Sequence, residues 1–214
     1  MIGLFGGTFN PIHSGHLRSV NLLNEVVGFD KVHWILSARP PHKGDISTSI
    51  EHRFSMLQLA LQSDSDFVAD GCEISRTEKS YTYTTIQHFR KRYPVQSLCL
   101  IIGGDSLQSL HTWYRFEDIV DEVHVIVMQR PGYVNDIPSF LSSRQVQSGS
   151  ELQEFTSGKL LMFEGSDFDV SSTQLRQALN KCNTVDADLD LIENFIPKSV
   201  INYIRQHRLY SEIV

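Results

Sequence analysis

Cysteine is scarce in this chain. Only Cys72, Cys99 and Cys182 occur in 214 residues, an odd number with no C-x-x-C pair. That speaks against a disulfide framework and against a structural zinc site. Long apolar runs are missing too: none approaches the roughly 20 residues that a membrane-spanning helix needs. The start, MIGLFGG, has neither the basic residues nor the extended apolar stretch of a secretion signal. Basic charge is also in deficit, since 19 Lys and Arg against 25 Asp and Glu leave a formal charge of −6. Without a basic field, extended nucleic-acid binding is disfavoured, although a few local cations suffice for a small anion. These absences point to the reducing cytoplasm and to small-molecule partners.

What is present is ordinary for a soluble globular protein, 41% hydrophobic and 21% charged. The length can bury a substantial core as one domain over residues 1–214. Apolar runs alternate with helix-period segments. Ile2–Phe5, Val32–Leu36, Leu98–Ile102, Val123–Met128 and Leu160–Phe163 read as strands buried on both faces. A helix from about Ser14 carries Leu17, Val20, Leu23 and Val27 on one face, with Gly28 as its stop. Thr48–Glu51 reads as a capping box before Phe54, Leu57 and Leu61. Tyr83–Tyr93 predicts a further helix, with Arg90, Lys91 and Arg92 as a solvated face. Ser171–Asn180 and Lys198–His207 predict closing helices.

Strands alternating with helices predict an α/β, Rossmann-like, doubly wound parallel sheet with a small C-terminal helical part. The core sheet is expected over about 1–130 and the closing helices over about 160–214. Ser139–Gly158, rich in Ser and Gln, predicts a mobile connection. In such sheets ligands bind beyond the carboxyl ends of the strands, where the strand order reverses.

The stretch GGTFNPIHSGHL, Gly6 to Leu17, holds more than a strand-to-helix turn requires. Gly6 and Gly7 let backbone approach a ligand with no Cβ in the way. Pro11 fixes the turn ahead of the helix. His13 and His16 straddle the helix start, where unpaired N–H groups and the positive dipole end favour an anion. Two imidazoles there can donate to phosphate oxygens and gain charge as a phosphate raises their pKa. A plainer reading makes the histidines exposed capping residues. A metal reading of H-x-x-H finds no Cys or carboxylate nearby to complete a first shell. GGTFNP is not G-x-G-x-x-G, which argues against an NAD-dependent dehydrogenase.

GTFNPIHSGH resembles the T-F-[DN]-P-x-H-x-G-H signature of the nucleotidylyltransferase superfamily. Within it the chain is similar over nearly its whole length to the bacterial nicotinate-nucleotide adenylyltransferases. The narrowing motifs are Pro40-Pro41-His42-Lys43, Ser80-Tyr81-Thr82, Ile102-Gly103-Gly104-Asp105-Ser106, Thr112-Trp113-Tyr114, Arg130-Pro131-Gly132 and Val170-Ser171-Ser172-Thr173 with Arg176. The resemblance implies transfer of AMP from ATP to nicotinate mononucleotide, with pyrophosphate released. Mg²⁺ is expected to ride on the ATP phosphates, with no dedicated metal cage. A sibling enzyme acting on nicotinamide mononucleotide or pantetheine phosphate, and a non-catalytic nucleotide binder, are the alternatives.

By the same resemblance His13 and His16 are catalytic, holding ATP phosphates and stabilising charge at the α-phosphorus. Gly6, Gly7, Thr8 and Phe9 line the path of both phosphates, although the Phe9 ring reads equally well as core. Gly103, Asp105 and Ser106 take the adenosine side, with Gly104 where the family often has Ala or Gln. Arg130, Ser171, Ser172, Thr173 and Arg176 complete the ATP contacts. Trp113 stacks on the pyridine ring, with Tyr81, Thr82 and Tyr114 around it. His42 and Lys43 close over the substrates. Backbone N–H groups near Ala38, Thr82 and Tyr114 read the nicotinate carboxylate.

Overall fold

A computed structural model describes residues 1–40, 46–129, 136–164, 170–181 and 192–210. Seven parallel strands form one sheet: β1 (Ile2–Gly7), β2 (Lys31–Leu36), β3 (Phe67–Asp70), β4 (Leu98–Gly103), β5 (His124–Gln129), β6 (Gln145–Val146) and β7 (Leu160–Glu164), in the order β3-β2-β1-β4-β5-β7-β6. From β1 the chain builds outward through β2 to β3. From β4 it builds the other way. The order therefore reverses between β1 and β4, and their carboxyl ends leave a crevice that no crossover covers.

The sheet is buried on both faces, as the uninterrupted apolar runs predict. Within β4, Leu98, Leu100 and Ile102 enter one core while Cys99 and Ile101 enter the other. The Cys99 face is covered by α1 (Ser14–Val27), α2 (Ile50–Leu61), α8 (Ser172–Lys181) and α9 (Lys198–Gln206). The Leu100 face is covered by α3 (Thr82–Arg92), α4 (Gly104–Ser109), α5 (Phe116–Glu122) and α6 (Ser139–Ser142). Burial pushes the Cys72 and Cys99 thiols up to about 12, so neither is a thiolate at neutral pH.

Three local expectations are corrected. The α2 cap is Ser49, whose hydroxyl accepts from the His52 N–H at 3.3 Å, and not Thr48, which is buried. Arg90 is not a solvated charge: its guanidinium donates to the Gln96 carbonyl at 2.7 Å and the Glu122 carbonyl at 2.9 Å, and Arg92 reaches Asp70 at 3.3 Å. Ser139–Gly158 contains α6, β6 and α7 (Gly149–Leu152), and Leu141, Val146 and Leu152 pin it to the sheet. β3 went unread because a four-residue strand ending in Asp70 carries little pattern.

Candidate active site

A cavity of about 670 Å³ opens where the strand order reverses. Its floor is the carboxyl ends of β1 and β4, with Gly6, Gly7 and Thr8 on one side and Gly103 and Ser106 on the other. Its far wall comes from the start of α3 and the turn after α4: Tyr81, Thr82, Trp113 and Tyr114. The rings of Tyr81 and Tyr114 lie 5.1 Å apart. Trp113 is half-buried against the neighbouring core, so it combines anchorage with an accessible surface.

The two glycines of the first loop differ. A Cβ on Gly7 would lie 2.6 Å from the Phe9 ring, so that glycine is required by packing. A Cβ on Gly6 would meet nothing within 4 Å, so that glycine keeps space open in the cavity. The Phe9 ring itself lies in the core beside Phe5 and Trp34 and does not line the cavity.

The loop after β1 leads on to α1, and neither His13 nor His16 is among the residues that line the cavity. His13 is its N-cap and His16 its third residue, with ring centroids 3.6 Å apart. The His16 Nδ1 accepts the His13 backbone N–H at 3.4 Å, which leaves the proton of a neutral His16 ring on Nε2. His13 is nearly inaccessible, and its Nδ1 is buried without a hydrogen-bond partner. Desolvation lowers its pKa to about 4. Without a phosphate beside it His13 is therefore held toward its neutral form, and the expected gain of charge concerns the phosphate-bound state. Gly15 makes room for that ring, since a Cβ there would sit 3.0 Å from the His13 Nδ1.

The start of α8 docks on the same loop. Ser172 donates to the Pro11 carbonyl at 3.1 Å, and Arg176 donates to the Asn10 carbonyl at 2.8 Å and to the Thr173 hydroxyl at 3.1 Å. Ser171 and Gln174 form a reciprocal cap: the Ser171 N–H donates to the Gln174 Oε1 at 2.8 Å, and the Gln174 N–H donates to the Ser171 Oγ at 3.2 Å. Two helix starts, separated by more than 150 residues of sequence, are thereby brought together around Asn10 and Pro11. Tyr210 adds a hydrogen bond to the Asn10 side chain at 2.7 Å.

Ala38 is buried outside the cavity lining, and Asp105 is exposed in the first turn of α4. His42, Lys43 and Arg130 lie outside the described residues. Sequence reasoning missed Arg53. Its guanidinium is buried and donates to the carbonyls of Thr8 (3.0 Å), Ser37 (2.9 Å), Ala38 (3.3 Å) and Thr48 (3.3 Å), tying the loops after β1 and β2 to α2. Burial lowers its pKa. Nothing in the sequence marks an inward arginine among the helix-period residues of α2. Lys79, Glu73 and Thr85 also line the cavity. Their proximity to Ser80-Tyr81-Thr82 was the available signal.

A doubly wound parallel sheet with its cavity at the reversal point and paired histidines on the first helix defines a nucleotidyltransferase-type protein. The chain belongs to the cytidylyltransferase-like family, whose model matches residues 4–178. Among curated proteins it is 35% identical to one of Citrobacter koseri over 97% of both chains, and 34% identical to one of Dechloromonas aromatica over 98% of this chain and 97% of that one. Both bear the name "Probable nicotinate-nucleotide adenylyltransferase". In fold it is similar to Plasmodium falciparum nicotinic acid mononucleotide adenylyltransferase complexed with NaAD, at a TM-score of 0.74, 19% identity, 98% of this chain and 96% of that one.

Proposed function

We propose that this protein transfers the adenylyl group of ATP to the 5′-phosphate of nicotinate mononucleotide, giving nicotinate adenine dinucleotide and pyrophosphate. The observation that carries this reading is the cavity at the β1–β4 reversal, lined by Gly6, Gly7 and Thr8, whose loop runs on to Asn10 and Pro11 where the start of α8 docks. Its support from relatives is their shared name at about a third identity over almost the full chain.

A phosphate oxygen of the mononucleotide attacks the α-phosphorus of ATP. The bond from that phosphorus to the β-bridging oxygen breaks, and pyrophosphate leaves. The nucleophile is already an anion, so no strong base is needed. Repulsion between anions and poor alignment are the obstacles, and positioned donors supply most of the rate. His13 and His16 are the donors at the α-phosphate. Ser171, Ser172, Thr173 and Arg176 hold the rest of the triphosphate, while Gly103, Asp105, Ser106 and Arg130 take the adenosine end. Mg²⁺ would arrive with ATP as part of that substrate and would offset the charge of its phosphates. Trp113 stacks on the pyridine, and the N–H groups that open α3 meet the nicotinate carboxylate. Both substrates are small molecules of the cytoplasm.

The test is a single assay: ATP, Mg²⁺ and nicotinate mononucleotide, read by pyrophosphate release and by the mass of the dinucleotide. Absence of product at high enzyme concentration overturns the reading. Nicotinamide mononucleotide and pantetheine phosphate, run alongside, separate it from the sibling activities.

A further inference from the structure

Nicotinate and nicotinamide mononucleotides differ in one group, a carboxylate against a neutral amide. Only a contact that feels that charge can separate them. Among the described residues that line the cavity, Lys79 is the one cation and Glu73 the one carboxylate. Glu73 is turned inward: it is 6% exposed, and its Oε1 accepts from the Thr85 hydroxyl at 2.6 Å, which in turn accepts from Arg76 at 2.9 Å. Lys79 is exposed at the rim.

Its backbone is held by a tight turn in which the Lys79 carbonyl accepts from the Tyr81 N–H at 2.9 Å. That turn leads into α3, whose N-cap Tyr81 makes no side-chain capping bond and whose first turn holds no acidic residue. The positive end of an 11-residue helix and the lysine therefore share one side of the cavity. The Tyr81–Tyr114 pair and Trp113 form the adjoining wall, an aromatic surface of the kind a planar ring can stack on. The next segment is locked to the β2 loop by the Ser80 N–H donating to the Arg39 carbonyl at 3.0 Å and the Arg39 N–H donating to the Ser80 hydroxyl at 3.1 Å.

We propose that Lys79 is a specificity residue that favours the acid over the amide mononucleotide by its charge at the pyridine end of the cavity. This rests on the adenylyltransferase reading. Because Lys79 is exposed, its share of the discrimination is small, up to about fivefold. It is also sensitive to salt, since the charges are screened over about 10 Å at 0.1 M.

The test uses the whole chain and two readouts. Quenching of Trp113 fluorescence gives Kd for nicotinate and nicotinamide mononucleotides, and turnover with ATP gives kcat/KM for each. In Lys79→Met the acid should bind up to about fivefold more weakly with the amide unchanged, and Lys79→Arg should restore the preference. Raising salt should shrink the preference of the parent protein and leave that of Lys79→Met alone. Equal losses for both mononucleotides, an unchanged preference in Lys79→Met, or no preference in the parent protein each overturn the proposal. A salt-sensitive binding preference without dinucleotide formation would uphold Lys79 and reject the adenylyltransferase reading instead.

Discussion

Arg53 donates from its buried guanidinium to the carbonyl of Thr8 at 3.0 Å. The same group holds Ser37, Ala38 and Thr48, so one side chain of α2 sets the spacing of the loops that leave β1 and β2. Those carbonyls have turned inward to meet it. With Arg53→Met they lose their donor inside the protein, and each buried orphan acceptor costs about 1–3 kcal/mol. Several such acceptors make a total loss of about 3 kcal/mol or more. For a chain of this size that lowers Tm by roughly 6–12 °C. Arg53→Lys, with one ammonium for four acceptors, should fall between. Thermal unfolding followed by circular dichroism decides it, and a drop under about 2 °C would show that the carbonyls find other donors.

Gly6 and Gly7 are neighbours with opposite reasons to be glycine. Gly7→Ala drives a Cβ into the Phe9 ring at 2.6 Å, so it should destabilise the fold by about 1–3 kcal/mol through overpacking. Gly6→Ala places its Cβ in open space and should leave Tm nearly unchanged. That open space lies in the cavity, however, where the proposed reaction brings the phosphates together. Gly6→Ala should therefore cost activity at full stability, by about tenfold or more in kcat/KM. Melting curves and kinetics on the two variants should give opposite rankings. A Gly6→Ala enzyme of normal activity would place the phosphate path elsewhere.

These two glycines show what was legible and what was not. The Gly6-Gly7 pair pointed to the end of β1, and both glycines line the cavity there, whereas His13 and His16 form the start of α1 and are not among the lining residues. The alternation of apolar runs gave the parallel sheet, and Gly28 ends α1 in the left-handed conformation at φ 69°, as a C-cap glycine does. The division of labour between Gly6 and Gly7 depends on where the Phe9 ring goes, and no local pattern records that. Arg53 was hidden for a related reason. An arginine in an amphipathic helix reads as solvent-facing until the carbonyls that turn toward it are known. The short pieces β3, β6 and α7 fall below the length at which periodicity speaks.

His13 should make the protein sensitive to mild acid. Its pKa is held at about 4 by desolvation against an ordinary value of 6.5, so the unfolded chain binds the proton more readily. Its contribution to stability is complete above about pH 6.5 and is lost as pH falls toward 4, below which it changes no further. Burial lowers His124 in the same direction, so it adds to the loss of stability as pH falls below its ordinary value. Tm measured from pH 7 to pH 4 should fall, and His13→Gln should flatten part of the slope. An identical slope in the variant would mean that His13 titrates normally and is not buried in solution.

His16 carries the last prediction, and it separates catalysis from binding. With Nδ1 accepting the His13 N–H, a neutral His16 ring carries its proton on Nε2, and the proposed function makes that N–H the donor to a phosphate oxygen. A donor aimed at charge that grows in the transition state lowers kcat when removed, by about two powers of ten, with a smaller change in KM. His16→Ala should show that split. It also removes the acceptor for the His13 N–H, so a general weakening of the α1 start is the competing explanation. His16→Asn resolves the two, because its amide can keep an acceptor for the cap while placing its own donor differently. If Asn restores Tm but not kcat, the imidazole acts on the substrate. If it restores both, His16 serves the helix start and the catalytic donor has to be sought in His13.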